Sequence, residues 1–144
     1  MIRKLLIANR GEIACRIART AAEMGIETVA ITSDADAQAL HVLACDDVVY
    51  LGGNTPEESY LRGGDIIAAG RARGADAIHP GYGFLSEDPE FAQAVIDAGL
   101  IWVGPPPSAI RALVLKESAK ALLQAANEPV VPCYPEADQS LEVL

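Results

Sequence analysis

Residues 4–25 read KLLIANRGEIACRIARTAAEMG, which is an apolar run, a polar turn and then a helical stripe. The apolar run predicts a short β-strand that ends at the turn Asn9-Arg10-Gly11. Beyond the turn, apolar residues recur at the spacing of a helix with one buried face, at Ile13, Ile17, Ala21 and Met24. Gly25 then predicts the end of the helix, because glycine readily adopts the left-handed conformation that follows one. A strand followed directly by a helix is the repeating unit of a parallel α/β sheet.

The same unit recurs as far as residue 103. Further strands are predicted at residues 28–32, 47–51, 75–79 and 100–103, and further helices at 37–45, 65–73 and 89–98. Thr55-Pro56-Glu57-Glu58 has the composition of a helix N-terminus, with a capping hydroxyl, a proline at the first helical position and acids in the first turn. Helical connections between strands imply right-handed crossovers. We therefore expect an open, doubly wound α/β domain with a Rossmann-like parallel sheet over residues 1–103.

The composition changes at Gly104-Pro105-Pro106-Pro107, where three prolines exclude a central strand and favour an extended connector. The following segments are predicted to be helical at 108–113 and 116–126, extended at 129–132 and newly helical at 138–142. Because a domain seldom ends on a freshly capped helix, we expect the sequence to continue beyond Leu144. We assign residues 104–144 to connector helices and the start of a second, truncated domain.

The composition excludes several classes of function. The chain has 144 residues, 51% of them hydrophobic and 22% charged, as expected for one folded domain. Its formal net charge of −9 argues against a nucleic-acid partner, and no apolar run approaches the ~20 residues that span a bilayer. Cys15, Cys45 and Cys133 form no C-x-x-C pair, which indicates reduced cysteines rather than disulfides or a zinc site. We predict a cytoplasmic location; a mitochondrial protein without its transit peptide would look the same.

Ligands of an open parallel sheet bind at the carboxyl ends of the strands, which makes three loops candidate sites. The first, Asn9–Glu12, has one glycine instead of the three in G-x-G-x-x-G, and its glutamate puts negative charge where a pyrophosphate would sit. A tight turn is therefore favoured over a nicotinamide dinucleotide site. The second loop is Ser33–Asp36, and the third is His79–Glu87.

The third loop has the more unusual composition. Gly81 and Gly83 flank Tyr82, and their conformational freedom would hold the aromatic ring outward. His79 ends a predicted strand and is more typical of a satisfied core residue than of a ligand. The loop contains no nucleophile with a base and no metal-ligand cluster. The spacing of the two lysines Lys116 and Lys120 predicts only a solvated helix face.

Several stretches of the sequence together resemble the biotin carboxylase family. They are Lys4–Ala14, Ala39–Val42, Ala75–Glu87, Trp102–Pro105, Ala109–Arg111 and Pro129–Pro132. The strings HPGYGFLSE at residues 79–87 and NRGEIA at residues 9–14 are highly specific. The resemblance covers essentially the whole chain.

The resemblance implies an N-terminal pre-ATP-grasp domain of Rossmann-like fold, followed by an ATP-grasp lid and a C-terminal domain. It implies that the complete module carboxylates biotin on a carrier protein, using bicarbonate and ATP with Mg²⁺ or Mn²⁺, through carboxyphosphate. Acyl-CoA, pyruvate and urea carboxylases use such a module. The implied partners are the remaining biotin carboxylase domains, a biotin carboxyl carrier, a carboxyltransferase and a second copy in a homodimer.

Site residues are implied where this sequence matches the family's motifs. Lys116 occupies the position of the connector lysine that contacts ATP phosphate. Tyr82 would face the ureido ring of biotin, and with Gly83 and Glu87 it would lie at the edge of the active site. This chain then contributes to ATP and biotin binding but contains no catalytic residue and no metal ligand.

Three further matches concern assembly. Arg16, Arg19 and Glu23 match positions near the homodimer contact, where Arg19 and Glu23 would pair across the two-fold axis. The phosphate-covering loop, magnesium-binding carboxylates and catalytic cations of the family would all follow Leu144. We therefore expect the 144-residue chain alone to be inactive, because phosphoryl transfer depends on positioned metal and cationic groups.

The sequence departs from the family's usual pattern in two stretches, residues 114–115 and residues 126–133. Val114-Leu115 stands where Gly-Asp usually precedes the connector lysine, and Cys133 stands where a glycine is usual. Asn127 also replaces a glycine, which is compatible with the left-handed conformation that asparagine tolerates. Two functions stay open: the N-terminal domain of a biotin carboxylase, or a stand-alone, non-catalytic binding or dimerisation module of the same fold.

Overall fold

The computed structural model of the chain describes residues 1–113 and 116–129. Within them the elements follow the order β1 (Lys4–Ile7), α1 (Gly11–Glu23), β2 (Glu27–Thr32), α2 (Leu40–Ala44), β3 (Asp47–Tyr50), α3 (Gly63–Ala72), β4 (Ala77–His79), a 3₁₀ helix (Phe84–Glu87), α4 (Pro89–Asp97), β5 (Ile101–Trp102), α5 (Pro107–Leu113) and α6 (Lys116–Ala125). The strands form one parallel sheet in the order β3-β2-β1-β4-β5. This order confirms the doubly wound α/β fold.

The two faces of the sheet carry separate apolar clusters. Along β1, Leu5 and Ile7 point to one face and Leu6 to the other, as the alternation of a strand requires. The first face packs against small residues of α1, namely Ala14, Ala18 and Ala21, together with Ile17. The second packs against α3 and α4 through Ile66, Phe91 and Val95. Burial of each large aliphatic side chain contributes ~1.5–3 kcal/mol, so the sheet centre dominates the stability.

Local sequence explains where the helices begin and end. Gly25 has a φ of +70° directly after α1, as predicted. The carboxylate of Asp88 accepts hydrogen bonds from the backbone N–H of Glu90 and Phe91 at 2.9 and 3.2 Å, and Pro89 is the first residue of α4. Asn127 follows α6 with a φ of +59°, which confirms that asparagine accepts the left-handed conformation there.

Two local predictions were wrong in part. The segment at Thr55-Pro56 makes the expected capping contacts, because Glu58 Oε2 accepts from the N–H of Thr55 at 3.2 Å. It nevertheless forms only turns, and the next helix begins at Gly63. The proline run is not wholly extended either, since Pro107 is the first residue of α5. Proline fits the first turn of a helix because the N–H it lacks has no partner there.

Trp102 lies where the last strand meets the helices that follow it; residues 1–103 are called the sheet body here, and residues 104–113 and 116–129 the connector. Its Nε1 donates to the carbonyl of Pro105 at 2.9 Å, and its ring meets Phe91 edge-on at 5.7 Å between centroids. A Cβ added to Gly104 would lie 2.7 Å from the same Nε1, so glycine is required under the indole. Beyond it, α5 packs on α4 and α6 packs on α5.

The connector keeps apolar side chains in solvent: Leu113, Leu122 and Leu123 are all exposed. The departures at Val114-Leu115 and Cys133, and the segments predicted at 130–132 and 138–142, lie outside the described residues. None of the described helices has the length and apolar character needed to cross a bilayer.

Candidate functional site

The loop after β4 presents Tyr82 at the carboxyl edge of the sheet. Gly81 and Gly83 have φ values of +69° and +66°, and Phe84 follows with a φ of +47°. Tyr82 between them is 64% exposed, which is unusual for a large aromatic side chain in an ordered loop. The glycines therefore hold the ring outward, as the sequence predicted.

Asn9, two residues after the end of β1, is hydrogen-bonded to the backbone of this loop. Its side chain is buried, and Nδ2 donates to the carbonyls of Pro80 at 2.7 Å and Tyr82 at 3.0 Å. Its Oδ1 accepts from the N–H of Arg10 at 2.9 Å. Both carbonyls flank Gly81, where an added Cβ would lie 2.7 Å from Asn9 Nδ2. The first and third candidate loops are thus one hydrogen-bonded unit.

His79 contributes to the shape of the same loop. Its Nδ1 accepts from the N–H of Gly81 at 3.0 Å, so the neutral ring carries its proton on Nε2. Burial lowers the pKa of His79 below its usual value. This fits the structural role that the sequence favoured, because the ring is partly buried and one nitrogen fixes the backbone turn.

A second polar cluster joins the first and second loops. The Arg10 guanidinium makes two hydrogen bonds to the carboxylate of Asp36, at 2.5 Å from Nε and 2.7 Å from Nη2. The Tyr60 hydroxyl donates to Asp36 Oδ2 at 2.8 Å and accepts from the N–H of Ser33 at 3.2 Å. The Tyr60 ring stacks on Phe84, with centroids 5.6 Å apart, and so reaches the third loop.

The charges of this cluster cancel within it. The hydrogen bonds from Arg10, and then from Tyr60, lower the pKa of Asp36 to about 2 against the cost of burial, and the carboxylate raises the pKa of Arg10. Asp36 therefore stays ionised and Arg10 stays paired with it. The guanidinium of Arg10 thus already has a bidentate anionic partner in Asp36.

An open groove lies between the start of α1 and the Tyr82 loop. It has a volume of about 370 Å³ and is lined by Asn9, Arg10, Glu12, Ile13, Tyr82, Gly83 and Phe84. Its lining offers an exposed aromatic ring and the backbone of two glycine-flanked turns. Among residues 1–113 and 116–129, no three His, Cys, Asp or Glu side chains come close enough together to hold a metal ion. The groove thus combines an exposed aromatic ring with the charged side chains of Arg10 and Glu12.

The model of the family described as "Biotin carboxylase, N-terminal domain" matches residues 1–110. The chain belongs to this family. The match spans β1 to most of α5 and includes every loop of the candidate site. It confirms the resemblance seen in the NRGEIA and HPGYGFLSE strings.

Individual relatives agree with this assignment. The chain is 53% identical, over 143 residues, to the mitochondrial methylcrotonoyl-CoA carboxylase subunit alpha of Oryza sativa subsp. japonica, covering 99% of this chain and 19% of that protein. It is 50% identical to the propionyl-CoA carboxylase alpha chain of Ruegeria pomeroyi, covering 99% of this chain and 22% of that protein. The chain thus spans about a fifth of the length of these curated relatives. One relative is mitochondrial and the other bacterial, so the cytoplasmic location stays a prediction.

Solved structures show the same domain inside larger enzymes. Urea carboxylase of Kluyveromyces lactis matches with a TM-score of 0.85 and 46% identity, over 91% of this chain and 12% of that one. Pyruvate carboxylase of Rhizobium etli matches with a TM-score of 0.82 and 44% identity, over 92% of this chain and 13% of that one. The biotin carboxylase N-terminal domain therefore keeps its fold across carboxylases of different acceptors.

The predicted site residues fall into three places in this biotin carboxylase N-terminal domain. Tyr82 and Gly83 line the groove together. Glu87 is exposed at the end of the 3₁₀ helix and does not line the groove. Lys116 is the first residue of α6, and the position of its side chain lies outside what the structure describes.

The predicted dimer residues lie apart from the groove lining. Arg16, Arg19 and Glu23 are all exposed on α1, at the three- and four-residue spacing that puts them on one helix face. Arg16 also borders an apolar pocket of about 220 Å³ with Met24 and Val103. Their role in assembly stays a prediction.

Sequence reasoning missed the polar residues that fix the site. Asn9 and Arg10 belonged to a candidate loop for which a tight turn was favoured, and Asp36 was only a member of the second loop. Tyr60 belonged to no candidate site at all. The neighbouring sequence does not distinguish these residues from other polar loop residues. Their contacts depend on the strand order, which brings together loops that are 26 to 73 residues apart in the sequence. For Asn9, Arg10 and Asp36 the available signal was their position in loops that follow predicted strands, whereas Tyr60 carried no such signal.

Proposed function

We propose that this chain is the N-terminal domain of a biotin carboxylase, which carboxylates carrier-bound biotin with bicarbonate and ATP. The family match over residues 1–110 carries the proposal, because it includes the whole Tyr82 loop. The sequence relatives are carboxylase subunits about five times longer than the chain. We infer that the remaining biotin carboxylase domains, a biotin carboxyl carrier and a carboxyltransferase act with it.

The groove residues fit one face of a biotin ring. Biotin supplies the ureido nitrogen that accepts the carboxyl group, and its bicyclic ring has a flat ureido face. The exposed Tyr82 ring offers a matching flat surface, and Gly83 leaves the groove free of a side chain. Glu87 would stand at the rim of the same site. These residues bind and orient the ring, since none of them forms an acid–base pair with a neighbour.

Residues 1–113 and 116–129 do not fit Mg²⁺ or Mn²⁺, because no cluster of three candidate ligands exists there. The metal ion that accompanies ATP would therefore be held by other parts of the carboxylase. Lys116 would contribute a positive charge to ATP phosphate from the start of α6. We propose that the 144-residue chain alone is inactive, because the metal-binding and catalytic groups belong to other domains.

The experiment compares the purified 144-residue chain with the intact carboxylase polypeptide that contains it. Phosphate release from ATP is measured with bicarbonate and Mg²⁺, with and without free D-biotin. We expect biotin to stimulate the intact protein and to have no effect on the isolated chain. An intact protein that ignores biotin contradicts the function, and an active isolated chain contradicts the inactivity alone.

The size of the native polypeptide separates this function from a stand-alone binding module. An antibody raised against the chain would detect a protein several-fold larger than 15.1 kDa if the domain belongs to a carboxylase. A native band at the mass of the chain itself would favour the stand-alone module.

A charge exchange tests the proposed dimer contact on α1. We expect Arg19→Glu to weaken the homodimer of the intact protein because it faces Glu23 across the two-fold axis with like charge. The double variant Arg19→Glu/Glu23→Arg restores the opposite charges and should restore the dimer, as measured by light scattering. Equal dimer stability in all three proteins would place the contact elsewhere.

A further inference from the structure

The side chain of Asn9 directs both its amide protons and its oxygen at the backbone around the site. It is 2% exposed, and both carbonyls that receive its amide protons belong to the Tyr82 loop. Its oxygen accepts from the N–H of Arg10, which fixes the orientation of the amide. A buried amide with these three partners occupies one orientation, because a flipped amide would face two carbonyls with its oxygen.

The contact is close as well as polar. A Cβ on Gly81 would come within 2.7 Å of Asn9 Nδ2 and 3.0 Å of its Cγ, so the loop backbone rests directly on the amide plane. The two carbonyls lie one residue before and one residue after Gly81. Asn9 therefore fixes the position and orientation of the backbone at Tyr82, while the Tyr82 ring stays exposed.

We propose that Asn9 is a positioning residue for Tyr82 in biotin binding, which it achieves by holding the carbonyls of Pro80 and Tyr82. This inference rests on the proposed function, in which Tyr82 faces biotin. Asn9 also lines the groove, so Asn9 and the Tyr82 loop lie on the same side of it. The polar side chain acts through the loop, because both its amide protons are already donated to the loop.

The chemistry of the contact selects the test substitution. Asn9→Asp keeps the size of the side chain but replaces the donating NH₂ with a carboxylate oxygen, which cannot donate to two carbonyls when ionised. The loop must then move away from Asn9 or accept a repulsive contact. Asn9→Ser removes the same donors without adding charge and keeps the test valid if the aspartate variant does not fold.

A matched control lies at the start of β2. Thr28 is also 2% exposed, and its Oγ1 donates to Asp46 at 3.0 Å, away from the groove lining. Thr28→Val removes the hydroxyl, and with it the hydrogen bond to Asp46 Oδ2 and the one that the N–H of Asp46 donates to Oγ1 at 3.3 Å. We expect it to lower stability without changing the Tyr82 loop.

The kinetic experiment uses the intact carboxylase with free D-biotin as the varied substrate. We expect Asn9→Asp and Asn9→Ser to raise the KM for biotin about tenfold, because misplacing a binding group by about 1 Å can cost up to ~10²-fold. The KM for ATP and kcat should stay within about twofold, as for a loss of uniform binding. Thr28→Val should leave the biotin KM unchanged. An unchanged biotin KM in both Asn9 variants overturns the inference.

A double-mutant cycle separates positioning from general destabilisation. If Asn9 acts through Tyr82, Asn9→Ser should add nothing to the biotin KM once Tyr82→Ala is present. Additive effects of the two substitutions overturn the inference. If Tyr82→Ala alone leaves the biotin KM unchanged, the proposed role of Tyr82 fails. If it raises the KM while the Asn9 variants do not, the positioning inference fails and the proposed function stands.

The tether can also be measured in the 144-residue chain itself. Backbone amide hydrogen exchange at residues 81–83 should be faster in Asn9→Ser than in Thr28→Val, when both are compared at equal global stability. Equal exchange of the loop in the two variants would show that Asn9 does not hold it.

Discussion

The sheet body buries leucine side chains that the connector leaves exposed to solvent. In the body, Leu6 is 0% exposed between two helical layers, whereas Leu122 in the connector is 54% exposed. The body has two apolar clusters. The described part of α6 packs mainly on α5. The comparison teaches that the body contains its own stabilising core, while the connector depends on the body for its position.

A matched pair of leucine truncations gives the largest expected contrast. We expect Leu6→Ala to destabilise the chain by ~2–5 kcal/mol, because it leaves a cavity in the central strand. Leu122→Ala should change the free energy of unfolding by no more than ~0.5 kcal/mol. Urea denaturation of both variants measures the difference. Similar losses in the two would mean that the connector leucine is buried in solution.

Acid should weaken the body through Asp36. Its pKa of about 2 lies below the ordinary 3.8, so its stabilising effect is complete above pH 3.8 and is lost as the pH falls toward 2. With the side chain only 13% exposed, the lowered pKa corresponds to about 2 kcal/mol of folding free energy. Urea denaturation between about pH 5 and pH 2 should show this loss.

Two variants isolate that acid effect. Asp36→Asn should be less stable at neutral pH and should depend less steeply on pH in the acid range. Asp65→Asn, which removes the acid of an exposed pair with Arg62, is the matched control and should change stability at neutral pH by no more than ~1 kcal/mol. An unaltered acid dependence in Asp36→Asn would contradict the assignment.

Mild acid should act on the body through its two histidines. His41 is fully buried in α2, with Nε2 bonded to the carbonyl of Ile31 at 3.1 Å and Nδ1 unpaired among the residues the structure describes. Burial lowers the pKa of His41, and of His79, so the unfolded chain binds protons more readily. Stability is therefore complete above the unfolded pKa of 6.5 and falls as the pH decreases below it.

The corresponding measurement is urea denaturation between about pH 8 and pH 5. His41→Gln keeps a donor for the Ile31 carbonyl but does not titrate, so its dependence on pH should be shallower than that of the parent chain. His79 accounts for the rest of the pH dependence. A variant in which both His41 and His79 are replaced should therefore show no dependence of stability on pH over this range. A parent chain whose stability is flat over this range would contradict the prediction.

The smallest expected effect concerns the ion pair between the connector and the body. Arg111 Nη2 lies 2.5 Å from Glu90 Oε1, but both side chains are mostly solvent-exposed. Arg111→Ala should therefore change stability by less than ~1 kcal/mol. Its neighbour Ile110 is buried, so Ile110→Ala should release α5 and speed proteolysis of the connector. Faster proteolysis in Arg111→Ala than in Ile110→Ala would reverse this ranking.

Much of the fold could be predicted because its determinants are local. The period of α1, the end of that helix at Gly25 and the start of α4 at Asp88-Pro89 each depend on a few consecutive residues. The turn at Thr55-Pro56 shows the limit of such reasoning. Its capping residues are present, yet no stable helix follows until Gly63.

The site was predicted less completely because its contacts are not local. The exposed Tyr82 follows from the glycines beside it, whereas the Asn9 and Asp36 contacts require the strand order β2-β1-β4. A sequence shows that these residues follow strands, but it does not give the distance between strand ends. Lys116, Glu87 and the α1 residues rest on family resemblance and stay predictions.

The junction at Trp102 makes the domain its own spectroscopic probe. The chain contains one tryptophan, so its indole emission has a single origin. That indole is hydrogen-bonded to Pro105 on the connector side and packed against Phe91 on the body side. A shift in emission wavelength therefore reports separation of the connector from the body, and does so without any label.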